Sequence, residues 1–107
     1  MDKPPDNRKD TRFKTRFDAL FASGQLEGAG VLADLSYSGA RVEEASMCPR
    51  TGTRVRLYVF IQPISPFELV GHVVRSSESE FAIAYEVSDP ELRALVDDIT
   101  AIVETSS

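Results

Sequence analysis

The chain has 107 residues, 42% hydrophobic and 27% charged, enough for one domain with its own core and too few for a second of similar size. Its net charge of −5 excludes a surface built to coat nucleic acid or anionic lipid. A single cysteine, Cys48, excludes an intramolecular disulfide and suits a reducing, cytoplasmic compartment; no run approaches the roughly 18 apolar residues of a membrane span, and the polar opening MDKPPDNRKD lacks a signal-peptide core.

Charge is unevenly spread. Residues 1–16 hold six bases and three acids, whereas residues 17–107 hold six bases and fourteen acids, so a basic arm precedes an acidic body. Residues 1–12 contain Pro4 and Pro5 and nothing apolar after the initiator methionine, so they cannot order themselves by burial and read as a flexible arm.

Short segments of period-two alternation or β-branched content follow, separated by turn residues. The first spans 17–22 and closes at Ser23-Gly24; the second spans 28–35; a short third spans 40–43. Residues 53–61 give the clearest strand, with Val55, Leu57, Val59 and Ile61 on one face and Arg54, Arg56, Tyr58 and Phe60 on the other. Pro63 and Pro66 separate it from a fifth strand at 67–75, and in a sixth, 81–87, Phe81, Ile83, Tyr85 and Val87 alternate with Ala82, Ala84 and Glu86. The period then changes. Ser88 and Glu91 have capping-box spacing, Pro90 suits a first helical turn, and Leu92, Leu95, Val96, Ile99, Ile102 and Val103 form one apolar stripe, predicting a helix over about 89–104. The expected fold is mainly β: a small six-stranded antiparallel β-barrel with a C-terminal α-helix, occupying 13–104 and leaving a tail at 105–107.

The residues for catalysis are sparse, and we expect no enzyme. The one histidine, His72, lies inside a strand and reads as a sheet-face residue. Cys48 sits beside Pro49 with no second cysteine and no nearby histidine to activate it. There is no G-x-x-x-x-G-K-[ST] loop and no strand-to-helix G-x-G-x-x-G turn. The acidic pairs Glu43-Glu44 and Asp97-Asp98 are adjacent in sequence, diverge on a strand or helix, and read as solvated charge. No cofactor or metal is expected.

Two clusters share a binding logic. Arg8-Lys9-Asp10-Thr11-Arg12 places two arginines four apart where arm meets barrel; a guanidinium binds phosphate oxygens or a guanine edge bidentately and stacks on a base. Asp34-Leu35-Ser36-Tyr37-Ser38-Gly39 ends the second strand, with Asp34 and Ser36 expected on one side and Leu35 in the core. A carboxylate accepts from the adjacent N1–H and N2 donors of guanine, a serine hydroxyl donates to phosphate or base, and glycine permits positive φ and close backbone approach. Taken alone, the second cluster also reads as a strand ending in a serine- and glycine-rich turn.

R-x-x-x-R, then some twenty residues, then D-x-S-x-x-G followed by Ala40-Arg41-Val42, resembles the PilZ domain family. The likeness extends through Leu69-Val70-Gly71-His72-Val73-Val74-Arg75 and through Phe81 to Val87 before Ser88-Asp89-Pro90. It implies a bacterial receptor for cyclic di-GMP on a six-stranded barrel. By this resemblance Arg8 and Arg12 on the arm would fold over phosphodiesters and guanines, with Lys9 adding a charge to the site, while Asp34 and Ser36 on the barrel wall read a guanine edge and Gly39 completes the motif by letting the backbone approach the ligand. Asn7 stands where some relatives carry further basic residues and hold two stacked ligands, which implies one ligand per subunit here. Arg41 either reaches a phosphate or pairs with Glu43 or Glu44. No output domain accompanies the barrel in this sequence, so the effect is expected to pass to a downstream protein, with motility or biofilm control as family-level outcomes. The alternative is a PilZ-like interaction adaptor with weak or no nucleotide binding; a nucleic-acid partner and membrane insertion are not expected.

Overall fold

A computed structural model describes residues 12–61, 66–86 and 90–106, with helix side chains described at 93–101. The elements are β1 (Phe13–Ser23), β2 (Leu26–Leu35), β3 (Gly39–Glu43), β4 (Arg54–Val59), β5 (Phe67–Ser76), β6 (Phe81–Tyr85) and α1 (Pro90–Ser106). All neighbouring strands run antiparallel and close into a barrel in the order β1-β2-β3-β6-β5-β4, as the alternating patterns predict. Closure through β1 and β4 leaves no open sheet edge.

The core follows from alternation. Val55, Leu57 and Val59 of β4 point inward with Ile61 beyond it, meeting Ala19 and Phe21 of β1, Leu32 and Leu35 of β2, Val42 of β3, and Leu69 and Val73 of β5. Phe81 and Ile83 of β6 complete the ring, and Phe21 and Phe81 meet edge to face at 4.9 Å. Val96 and Ile99 of α1 are fully buried in this same cluster, with Leu95 packed against it, so the helix supplies part of the barrel core. The side chains of Glu91, Leu92, Ile102 and Val103, and the capping position Ser88, lie outside what the structure describes.

β1 begins at Phe13, four residues earlier than the sequence reading places it: Phe13, Thr15 and Phe17 alternate with Lys14, Arg16 and Asp18 in burial, and Phe13 and Lys14 already pair with Leu35 and Asp34 of β2 ahead of a register slip before Phe17. β2 starts two residues early because Ser23 and Leu26 already pair, leaving a two-residue loop in which only Gly24 has positive φ (63°), the pattern of a type II′ hairpin turn. Among the described residues no helix is long and apolar enough to cross a membrane.

Candidate functional site

Three register irregularities fall at one end of the barrel and decide which side chains face outward. Leu32 is buried, and a regular β2 would turn Asp34 inward beside it. One extra residue, Ala33, opposes the Leu32–Asp34 step against β3, so Leu32 pairs with Val42 in the core while Asp34 pairs with Arg41 outside. In β5, Val73 pairs with Ile83 and Arg75 with Ala82, which makes Val74 the extra residue and brings Arg75 out. The third slip, between Lys14 and Phe17, sets Lys14 opposite Asp34. Together they create one cross-strand row on the outer face, running Lys14, Asp34, Arg41, Ala82, Arg75 over β1, β2, β3, β6 and β5.

Asp34 is the electrostatic centre of that row. Its residue is only 4% exposed because two guanidinium groups cover it: Arg12 Nη1 donates to Oδ1 at 3.1 Å and Arg41 Nε donates to Oδ2 at 2.8 Å. The arginines differ in setting. The Arg12 side chain is 55% exposed and that of Arg41 23%, and Arg41 also donates to Glu43 and, at 3.0 Å, to Glu80. These carboxylates, Asp34 foremost, push the Arg41 pKa above its ordinary value, so its charge is permanent. Glu43 is therefore the ion-pair partner that the sequence reading allowed for Arg41, and not solvated charge alone, while Glu44 takes Arg16 at 2.9 Å.

Ser36 lies past the end of β2, buried at the mouth of the loop to β3. Its hydroxyl accepts from the backbone N–H of Ser38 and of Gly39, both at 3.2 Å, and its own N–H donates to the Gly39 carbonyl at 2.8 Å. The serine thus organises the turn locally. Positive φ at glycine is confined to Gly24 and Gly52, so Gly39 serves by closeness: a Cβ there would sit 2.2 Å from the Ile83 carbonyl oxygen. The close approach is to β6, not the positive-φ conformation the sequence reading allowed.

The same loop is tied to the helix. Tyr37 donates its hydroxyl to Asp97, lies 4.3 Å beneath the Arg93 guanidinium, and meets Phe13 edge to face at 6.2 Å. The Asp97 hydrogen bond is the main cause that raises the phenol pKa. Asp97 is a second departure from the reading as solvated charge.

Two clefts flank the outward row. One, of about 290 Å³, is lined by Arg12, Ser36, Gly39, Arg75, Ala82 and Ala84 among others; the second, about 240 Å³, lies between Arg41, Arg75, Ser77 and Glu80. Arg75 and Ala82 line both. Small residues on β3 and β6 make a low floor, with guanidinium groups rising at its sides. Among the described residues no group of three or more His, Cys, Asp or Glu is placed to hold a metal ion.

Of the residues singled out in the sequence, Arg12, Asp34, Ser36 and Gly39 come together here; Arg8 and Lys9 lie outside the described residues. His72 is exposed on the sheet, opposite Arg54 and Ala84. Burial pushes the Cys48 thiol pKa up, consistent with an inert side chain. Sequence reasoning left Arg41 open and did not single out Tyr37 or Arg75. Tyr37 carried a signal, an aromatic inside the motif, whereas the direction of Arg75 depends on a bulge that alternation conceals.

A family model described as PilZ domain matches residues 6–101. Among solved structures, the fold is similar to the PilZ domain of CeSA from a cellulose synthesizing bacterium, with TM-score 0.71 and 18% identity over 87% of this chain and 97% of that one. It is also similar to the Bacillus subtilis inhibitor of motility MotI/DgrA, with TM-score 0.68 and 14% identity over 100% of this chain and 54% of that one, so the chain spans about half of that protein. At such identities these likenesses speak to fold. No curated protein matches the chain by sequence.

Proposed function

Because the chain belongs to the PilZ domain family, we propose that it is a cytoplasmic receptor for cyclic di-GMP that passes the signal to a downstream protein. The observation that carries this reading is the outward-facing Asp34 carboxylate, bound to Arg12 and Arg41 beside a cleft with a low floor of Gly39, Ala82 and Ala84. In this reading Asp34 accepts from the N1–H and N2 donors of a guanine, whose flat face lies over the small residues. Arg12 exchanges its contact with Asp34 for a ligand phosphate, and Arg8 and Lys9 follow with the arm. The arm gains its order from the ligand, so binding alters the surface offered to a partner. One ligand per subunit is expected, with Asn7 ahead of Arg8. The binding role requires no cofactor and no catalysis.

The second reading, a PilZ adaptor with weak or no nucleotide binding, draws on the same carboxylate, since both of its oxygens already have arginine partners within the chain. Substitution separates the two. Changing Arg8 and Arg12 together to alanine should abolish measurable cyclic di-GMP binding, each removal weakening it roughly ten- to a hundredfold. Unchanged affinity in the double variant would refute the assignment.

A further inference from the structure

Arg75 ends the outward row, and three observations distinguish it from an ordinary surface arginine. The first is its route to the surface. Val73 is in the core and Val74 is 52% exposed, so strict alternation would return Arg75 to the interior; the bulge at Val74 instead pairs it with Ala82 on the outer face. The second is its position. Arg75 lines both clefts, and Ala82 separates it from Arg41 on the opposite neighbouring strand, so two guanidinium groups flank one small residue. The third is its electrostatic state. Arg41 is engaged by Asp34, Glu43 and Glu80, Arg54 by Glu86 and Arg16 by Glu44, yet among the described residues Arg75 makes no ion pair.

An arginine re-aimed by a bulge, set against a low floor and without a carboxylate partner is suited to an anion entering that floor. We propose that Arg75 is a further ligand-binding residue, holding a phosphodiester oxygen of the nucleotide from the β5 side of the cleft while Arg12 approaches from the β1 side. This rests on the cyclic di-GMP reading above. Arg41 cannot take that part without leaving three carboxylates, whereas Arg75 has none to leave among the described residues. The row thus divides its labour: Arg41 fixes Asp34, and Arg75 meets the ligand.

The test is calorimetric titration of cyclic di-GMP into the wild type and the Arg75→Gln, Arg75→Lys and Arg56→Gln variants, at two salt concentrations, with thermal melts alongside. Arg56 lies on β4, away from both clefts, and controls for loss of a surface charge. Arg75→Gln should bind about five- to twentyfold more weakly, with a shallower salt dependence and an unchanged melting temperature. Arg75→Lys should recover most of the loss, and Arg56→Gln should match the wild type. Wild-type binding with unaltered affinity in Arg75→Gln would overturn the role of Arg75 and leave the receptor reading intact. An equal loss in Arg56→Gln would also overturn it, reducing the effect to net charge. A folded wild type that does not bind would overturn the receptor reading and this proposal together.

Discussion

Asp34 is held by two arginines of unequal exposure, and the difference predicts which contact yields. Arg12 is more than half exposed and makes one bond to Asp34, so water screens it and its release costs little. Arg41 is largely covered and bridges three carboxylates. Arg12→Ala should therefore leave stability within about 0.5 kcal/mol of wild type while weakening ligand binding. Arg41→Ala should lower stability by about 1.5 to 3 kcal/mol, because it removes from a covered position the donor shared by three carboxylates, which water replaces less readily than at the exposed Arg12. Urea unfolding of the two variants checks the ordering, and equal destabilisation would contradict it. A different residue tests the core. The Tyr85 hydroxyl is buried without a hydrogen-bond partner among the described residues, and burial pushes its pKa up. Tyr85→Phe should stabilise the protein by about 1 kcal/mol at neutral pH. In the wild type, the raised phenol pKa means that the stability linked to the neutral phenol is complete below the unfolded value, near pH 10, and is lost as pH rises through the folded value. Melting curves at neutral and alkaline pH should show the variant spared that part of the loss.

At the scale of elements, the loop from β2 to β3 joins the cleft to the helix. Ser36 closes the turn, Gly39 lets β3 press on β6, and Tyr37 reaches Arg93 and Asp97 on α1. The motif, which in the sequence reads either as ligand chemistry or as a serine- and glycine-rich turn, is thus a packing device in the fold. Gly39→Ala should destabilise the fold by about 1 to 3 kcal/mol, since the neighbour its methyl would meet is backbone and cannot turn aside. Chemical denaturation measures it; unaltered stability with lost binding would mean that Gly39 serves the ligand alone. Alternation located all six strands, and 3.6-residue spacing located the helix, because each has one face buried in a single core. The strand ends and the outward row were less legible. A bulge reverses the direction of every side chain beyond it, so Asp34 and Arg75 face outward for a reason that only cross-strand register reveals. Local spacing identified Asp34 and Ser36 as a pair, but their burial and the turn made by Ser36 depend on partners elsewhere in the chain.

Over the whole molecule, an acidic body carries Arg12, Arg41 and Arg75 around two adjoining clefts at one end of the barrel. The barrel and helix bury one continuous core, and the motif loop and the outer row are built on it, which in the proposed reading makes them the template for the ligand. The chain belongs to the PilZ domain family and shares its barrel fold; the proposed receptor reading adds the claim that the template takes cyclic di-GMP. Calorimetric titration of the intact chain with cyclic di-GMP, against GTP as a control, tests that claim most directly. The account predicts saturable binding of the cyclic dinucleotide at one molecule per subunit and none of GTP. A folded protein that gives no heat with either ligand, and no shift in melting temperature, would contradict it.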